Sequence, residues 1–452
     1  MERSHVIPGW YKALKGYIRF LYETIFYRDV KYIGTGNIPA DGTPLMVVSD
    51  HQNSLNDSLG ILLSFRDRVV RFIVRADVFA LSPLADKFLR SIGLLPAYRL
   101  NFEGEDALSN NEDTFRDAEE SLLEGNTVVI FPEAGHQDHH FLGTFSYGYT
   151  RMAFGAAEKS GFEKEIFILP SANHYDNYFG MRRRQVVLFG KPISLKPFYE
   201  LYKTKPRTAQ RQVNALVRAQ IEGMMLDIRD EEHYSSIWSI LSGDQGEAYC
   251  REQDSDPEDL GSKLRTDKEL AARIEAAADP DLYEAADKYY DALKKLSFSE
   301  KIYDKEPEKS SVIFDTLLYV LLFPAFMFSL WPTVVSYLLP KHFIDKVGDK
   351  MLSGSFYFAV NILFILPILG LLTFVVALCA GLGFVRALVW VLLFPFLCWF
   401  CWQYVQWVRE LRQSYAYTKT SAEDLERVAS LRHNLESRLG KALKVSDIEK
   451  DN

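Results

Sequence analysis

The stretch Leu45–Asp57, LMVVSDHQNSLND, decides how this chain is read. Leu45 to Val48 form a short apolar run of the kind that makes a buried strand, and the polar residues Ser49 to Asp57 follow at once. A strand ending near His51, with Asp57 just beyond, presents an imidazole beside a carboxylate. The carboxylate then orients one ring nitrogen while the other takes a proton from a hydroxyl. The same residues also serve as plain structure, with Asn53 or Asp57 capping the helix that follows. What surrounds the stretch has to separate these two readings.

Outward from it, residues 30–200 alternate short β-rich runs with helical ones. The strand candidates are Val30–Ile33, Leu45–Val48, Val69–Val74, Thr127–Phe131, Ile166–Leu169 and Gln185–Phe189. Helical patterns such as Asn111–Glu124 and Tyr147–Lys159 lie between them, and the alternation predicts an α/β sheet domain. Three further blocks put chemistry at strand ends. Ile92-Gly-Leu-Leu-Pro-Ala-Tyr-Arg99 places an arginine after a Pro-bearing turn, Phe131-Pro-Glu-Ala-Gly135 ends a strand with Glu133, and Ile168-Leu-Pro170 ends another at a proline. Loops after strand ends are where open α/β sheets hold their ligands.

These four blocks, in this order and spacing, resemble the membrane glycerophospholipid acyltransferases, which include lysophosphatidic acid and glycerol-3-phosphate acyltransferases. Gly34-Thr-Gly-Asn-Ile-Pro39 and Asp41-Gly-Thr-Pro-Leu45 resemble the same family, so the likeness covers residues 30–200. It implies a mixed sheet flanked by helices. It implies that His51 acts as general base on the acceptor hydroxyl and that Asp57 orients it. The family's first motif has four residues between His and Asp. This chain has five, as in the branch reading His-x-Asn-x-x-x-Asp, so Asp57 rather than Asn56 is the expected partner. Arg99 would bind the acceptor's phosphate, for which guanidinium is well matched. Glu133, with Gly135 in the same motif, would shape the acceptor site, and Pro170 the acyl-donor side.

Two departures from the family pattern bear on the acceptor. Ala134 and Gly135 stand where Gly and a hydroxyl residue are expected. Phe145-Ser-Tyr-Gly-Tyr-Thr-Arg151 keeps its arginine but lacks the lysine pair. Phosphate recognition therefore falls to Arg99 and Arg151, and an acceptor without phosphate is an alternative. The neighbouring His136-Gln-Asp-His139-His140 is read as a polar solvated loop, with anion or metal binding as rival readings. No metal ligands are assigned. Arg182-Arg183-Arg184 is read as a solvated run, with anionic headgroups as its rival partner.

A chain of 452 residues exceeds what one core ordinarily holds. Its net charge of −8 is concentrated: Asp227–Lys309 carries 23 acidic against 12 basic residues. No basic stripe suits a nucleic-acid partner. Three of the four cysteines (Cys379, Cys398, Cys401) sit in apolar stretches as small hydrophobes, and nothing suggests an oxidising compartment. Residues 1–29 interleave aromatic residues with Lys12, Lys15, Arg19 and Arg28. They read as an interfacial amphipathic helix rather than a signal peptide, with a helix covering the core as the alternative.

Near the C-terminus, Thr316–Pro340, Met351–Val385 and Ala387–Val408 carry no formal charge, and about 20 apolar residues span a bilayer. The expected organisation is an interfacial helix (1–29), an α/β acyltransferase domain (30–200), an acidic helical region (201–311), membrane segments (312–410) and an amphipathic C-terminal helix (411–452). Within the membrane block, 316–340 is read as kinked or re-entrant because of Pro324 and Pro332. Residues 356–380 and 387–408 are read as a hairpin turning at Ala380-Gly-Leu-Gly383. Lys341, Lys346, Lys350, Arg409 and Arg412 favour the cytoplasmic side, hence an inner-membrane protein with a cytoplasmic catalytic domain.

The resemblance then implies an O-acyltransferase of phospholipid synthesis. It would use acyl-CoA or acyl-carrier protein as co-substrate, no cofactor, and 1-acyl-glycerol-3-phosphate as acceptor. Its partners would be lysophospholipid, acyl thioester and membrane lipids. A glycerol-3-phosphate or lyso-aminolipid acceptor, or a non-catalytic lipid-binding membrane protein, are the alternatives.

Overall fold

A computed structural model describes residues 8–66, 68–76, 79, 83–97, 106–133, 139–178, 182–347, 358–359, 361 and 366–450. The chain divides into two compact units, Met1–Leu226 and Asp227–Asn452.

In the first unit, helix α1 (Gly9–Phe20) runs into a π-helical turn, Leu21–Phe26, and then strand β1 (Tyr27–Ile33). There follow β2 (Leu45–Ser49), α2 (Leu55–Ser64), β3 (Val70–Arg75), α3 (Pro83–Ser91), β4 (Leu94–Ala97), α4 (Asp106–Leu123) and β5 (Thr127–Ile130). The unit continues with α5 (Gly148–Lys159), β6 (Phe167–Tyr175), β7 (Arg183–Phe189), β8 (Ile193–Ser194), α6 (Tyr199–Thr204) and α7 (Pro206–Met224). The strands form one sheet in the order β1-β7-β6-β2-β5-β3-β4, with β8 also paired to β6. Pairing is parallel throughout except at β6–β7 and β6–β8, so the sheet is mixed, as the resemblance implied.

Period-2 alternation in β2 explains why its run is apolar on both sides. Met46 and Val48 face a core built with Ala118 and Leu122 of α4, Met152, Ala153 and Ala156 of α5, and Val213, Val217 and Ile221 of α7. Leu45 and Val47 face the other layer, with Ile61 of α2, Phe65, Phe72, Val187 and Phe189. The four-residue spacing of Val213, Val217 and Ile221 is a helix laying one stripe on the sheet, each such side chain contributing about 1.5–3 kcal/mol when fully buried. Helix α7 thus carries the α/β unit to Leu226, beyond the edge expected at residue 200. On the opposite face α2 approaches β7 at Gly60, where a Cβ would lie 2.5 Å from Gln185 Nε2 and 2.9 Å from Val187 Cγ2.

Three local expectations are corrected. The block Ile92–Arg99 is not a simple turn, because Leu94–Ala97 forms β4, an edge strand that tolerates Pro96. Pro170 does not end its strand: β6 continues to Tyr175, and Pro170 falls between the residues paired with β8 and those paired with β7, where that edge asks for no N–H. The aromatic N-terminal stretch also divides. Helix α1 exposes Trp10, Tyr17 and Phe20, whereas Leu21, Tyr22, Ile25 and Phe26 are buried in the unit. The cationic face of α1 is partly inward, with Lys15 donating to the Phe65 carbonyl and Arg19 to that of Leu63.

In the second unit, α8 (Tyr234–Ser242), α9 (Asp244–Glu252), α10 (Leu260–Ala277), α11 (Pro280–Leu296) and α12 (Glu300–Lys305) form the acidic part. Asp259 and Asp279 cap α10 and α11, accepting from Gly261 and Asp281 N–H groups. Helix α13 (Lys309–Val347) runs unbroken through Pro324 and Pro332, so the re-entrant hairpin entertained for 316–340 is replaced by one long helix. Helices α14 (Leu366–Cys379) and α15 (Phe384–Lys419) form the hairpin expected from Ala380–Gly383, with Gly381 at φ +79° in its turn.

Helix α13 lies along α15, Phe326 stacking on Tyr404 at 4.3 Å and Trp331 meeting Phe394 edge-on at 5.1 Å. Lys309–Trp331 and Phe384–Lys419 are long and apolar enough to cross a bilayer, and their apolar stretches are mostly exposed. Helix α16 (Ala422–Lys450) buries Val428, Leu435, Leu439 and Ala442 against α10 and α11, the docking helix anticipated from its leucine spacing.

Candidate active site

The site lies at the C-terminal ends of the parallel strands β2 and β5. After Ser49 the chain leaves the sheet and enters α2 at Leu55, with Ser54 at φ +49°, a left-handed conformation unusual for serine. His51 Nδ1 lies 3.0 Å from Asp57 Oδ2, so Asp57 rather than Asn56 meets the imidazole despite the longer spacing. The same Oδ2 accepts the backbone N–H groups of Gln52 at 3.0 Å and Asn53 at 2.7 Å. Asp57, in the first turn of α2, is therefore both a cap of the helix entry and the partner of His51. The two readings of Leu45–Asp57 are one arrangement.

With an anionic oxygen facing it, Nδ1 is assigned the proton, and Nε2 is then the nitrogen that accepts one. The imidazole stacks on Phe131 at 4.3 Å, and its side chain is 19% exposed while Asp57 is fully buried. The imidazole is thus reachable from one side and held from the other.

Glu133 acts on the same loop. Its Oε1 accepts the His51 backbone N–H at 3.1 Å and its Oε2 the Gly143 N–H at 2.9 Å. Burial raises its carboxyl above the ordinary glutamate range, while these two donors and His51 pull it back. Asp50, fully buried, lies just before His51. Its Oδ1 accepts from Asn173 N–H at 2.8 Å and from the Ser49 hydroxyl at 3.1 Å. Burial, then the neighbouring Asp57 and Glu133, push the Asp50 carboxyl well above its usual value.

A second aromatic shell holds the loop from behind. Tyr178 donates to Gln52 Oε1 at 2.5 Å, and His140 Nδ1 lies 2.8 Å from the same phenol oxygen. Burial, then His139, lower His140 to about 3, so its ring is neutral. His140 is thus a buried prop and not part of a solvated loop. Among the described residues no group of three or more His, Cys, Asp or Glu side chains is arranged to hold a metal ion. The arginine run is also structural. Arg184 pairs with Asp176 at 3.1 Å just past the end of β6, and Arg182 donates to the Thr24 carbonyl at 2.8 Å.

Of the residues singled out in the sequence, His51, Asp57 and Glu133 come together. Arg99, Gly135 and His136 lie outside the described residues. Pro170 pairs with Val48 inside the sheet, its carbonyl accepting the Gly190 N–H at 2.8 Å. Arg151 sits on the exposed side of α5 with its guanidinium over Phe115 at 4.9 Å. It lines a groove of about 480 Å³ with Glu119, Glu158, Tyr202 and Arg207, and none of His51, Asp57 or Glu133 lines that groove. Sequence reasoning missed Asp50, Gln52, Tyr175 and Tyr178, which lie in polar stretches where nothing in their spacing singles them out.

Comparison with known proteins matches residues 29–172 to the Acyltransferase family model. Glycerol-3-phosphate O-acyltransferase 2 of Saccharomyces cerevisiae is 33% identical over 108 residues, 24% of this chain and 14% of that protein. The chloroplastic 1-acyl-sn-glycerol-3-phosphate acyltransferase LPAT1 of Arabidopsis thaliana is 29% identical over 136 residues, 30% of this chain and 34% of that one. The chain thus spans about a seventh and a third of the length of these curated relatives. The crystal structure of the 1-acyl-sn-glycerophosphate acyltransferase PlsC from Thermotoga maritima aligns over 47% of this chain and 78% of its own, with 18% identity and a TM-score of 0.34. Residues 29–172, which carry His51, Asp57 and Glu133, thus match the Acyltransferase family model, and the curated relatives similar to that part of the chain are glycerolipid acyltransferases.

Proposed function

We propose that this protein is a membrane-bound O-acyltransferase that moves a fatty acyl chain from acyl-CoA or acyl-carrier protein to 1-acyl-glycerol-3-phosphate, forming phosphatidate. The observation that carries the reading is the His51–Asp57 pair at 3.0 Å, set at the end of β2 within the family-matched residues. His51 Nε2 takes the proton of the acceptor hydroxyl as its oxygen attacks the thioester carbonyl. Asp57 balances the imidazolium that forms. The tetrahedral intermediate collapses by breaking the carbon–sulfur bond, and the departing thiolate takes the proton back from the imidazolium. Glu133 holds the His51 backbone in place. Arg99 is assigned to the acceptor's phosphate and Gly135 to the wall of the substrate site, and no cofactor takes part; Arg151, turned onto Phe115 in a groove that His51 does not line, and Pro170, buried in the sheet, are given no such role. The apolar α13 and α15 fit acceptors and products that stay in a bilayer. Arg409 and Arg412, at the end of α15 that meets the start of α13, support a cytoplasmic catalytic unit at the inner membrane, while Lys341 and Lys346 lie at the other end of α13.

A glycerol-3-phosphate acceptor is the second reading, favoured by the 33% identity to a yeast protein named for that acceptor. Purified protein in detergent is given labelled acyl thioester and either lysophosphatidate, glycerol-3-phosphate or a lyso-aminolipid. His51→Ala is expected to lower turnover by about 10²–10⁴, the usual contribution of a general base. Asp57→Asn should also be impaired. Product confined to glycerol-3-phosphate would replace the first acceptor, and full activity in His51→Ala would refute the mechanism.

A further inference from the structure

Strand β6 carries polar side chains where a sheet interior ordinarily carries apolar ones: Ser171, Asn173, His174 and Tyr175 are all buried. Tyr175 reaches the pair described above, its hydroxyl 2.7 Å from Asp57 Oδ1, the oxygen that does not face His51. Gln185 of β7 donates from Nε2 to the Tyr175 oxygen at 2.9 Å and to Asn173 Oδ1 at 3.2 Å. Tyr22, in the π-helical turn, lies 2.7 Å from Gln185 Oε1 and 3.0 Å from the Asn56 carbonyl.

The direction of this chain is set at its end. An ionised Asp57 only accepts, so Tyr175 must donate to it. The Tyr175 oxygen then accepts from an amide nitrogen, which turns Gln185 Oε1 towards Tyr22 and makes Tyr22 the donor there. Along the path from Tyr22 through Gln185 and Tyr175 the hydrogens therefore point towards Asp57, and bonds aligned in one sense polarise one another. Burial raises both phenols well above the usual tyrosine range, so they keep the protons they donate.

We infer that Tyr175 is a positioning residue for acyl transfer, fixing Asp57 through Oδ1 while Gln185 and Tyr22 fix Tyr175 in turn. The inference rests on the acyltransferase reading, and it gives three residues from distant parts of the chain one task. Asp57 is fully buried, so bulk water does not take the place of a missing donor. Without the Tyr175 hydroxyl the carboxylate loses one of its four donors, turns more readily away from Nδ1, and while in place attracts the imidazolium more strongly.

The test uses the full-length protein in detergent with Tyr175→Phe and, as a second variant, Gln185→Leu. Tyr175→Phe is expected to lower kcat about 10–100-fold, as loss of a supporting partner does elsewhere, with KM for both substrates held within about twofold. The acid limb of its pH–rate profile should move to higher pH, and Gln185→Leu should change both quantities in the same sense by less. A purely structural tyrosine would lower the melting temperature and leave the profile in place. The second readout needs no turnover: carbethoxylation of His51 by diethylpyrocarbonate at about pH 6, followed by peptide mass, should be slower in Tyr175→Phe.

If the native protein is active and His51→Ala is not, an unchanged kcat and profile in Tyr175→Phe overturns this inference alone. If the native protein transfers no acyl group, the functional reading fails, and the His51 modification rate decides the positioning: slower supports it, unchanged refutes it. If Tyr175→Phe does not fold, Gln185→Leu decides by the same measurements.

Discussion

Asp50 sits beside His51 and is closed off from water, and its titration couples to stability. In the unfolded chain it ionises near the ordinary aspartate value of about 3.9. Folded, burial beside Asp57 and Glu133 keeps it protonated well above that. Above pH ~4 the unfolded chain therefore gives up this proton first, and the residue's contribution falls as pH rises, by about 1.4 kcal/mol for each unit separating the two ionisations. Asp50→Asn carries no such penalty. Its melting temperature should exceed that of the native protein at pH 7 and converge with it near pH 4; equal melting temperatures at both pH values would contradict the burial argument.

His51, Asp57 and Glu133 were legible in the sequence because the first two follow β2 and the third follows β5, and strand ends can be recognised locally. Tyr175 was not, because its partner Asp57 is 118 positions away and only the parallel pairing of β6 with β2 brings them together. Arg151 was legible as a residue but not as a place. Its turn on α5 points it at Phe115, which depends on how the helix rolls on the sheet.

Helix α16 shows how one cation holds an element. Arg432 pairs with Asp304, lies 3.6 Å from Asp244, and bonds Glu436 at 3.2 Å on its own helix. Burial, then the carboxyl groups of Asp304 and Glu300, push Asp244 up to about 8. Replacing Arg432 with alanine leaves these acids without it. As the groups are partly exposed, the expected loss of stability is about 1–3 kcal/mol. The loss should be larger at pH 8.5 than at pH 5, where Asp244 is protonated in either protein, and calorimetric melts of the two proteins at both pH values would measure it. The leucine spacing of α16 announced an amphipathic helix but not its acidic counterpart, since Asp244, Asp304 and Arg432 are far apart in the chain. Elements with strong periodicity, β2, β5, β7, α4 and α5, stood close to their observed bounds. Strand β4 was hidden by its proline, and α13 looked broken because Pro324 and Pro332 interrupt an apolar run that stays helical.

For the whole molecule, the exposed apolar lengths of α13 and α15 make a simple demand on how the protein behaves in a cell extract. The full chain should remain in the membrane pellet after an alkaline carbonate wash and leave it only with detergent. Release by carbonate alone would mean that neither helix spans a bilayer. The division into an α/β unit and a helical, partly apolar unit was readable from composition. The boundary at Leu226 was not, because α7 is as polar outside as its acidic neighbours and shows its allegiance only through the buried stripe Val213, Val217 and Ile221.

The pairing of β1 with β7 sets a schedule for synthesis. Tyr27 finds its neighbour Arg183 only after most of the first unit has been made, so at about 5–20 residues per second the earliest strand waits roughly 8–30 s on the ribosome for its partner. During that wait the Tyr22 turn, which also needs Gln185, has no seat, and a nascent chain stalled before Phe189 keeps an open strand edge. Once β7 emerges the sheet can close while the apolar helices from Lys309 onwards are still unmade. The long-range strand pairing thus lies in the part translated first, and the later helices follow a unit that has had time to fold.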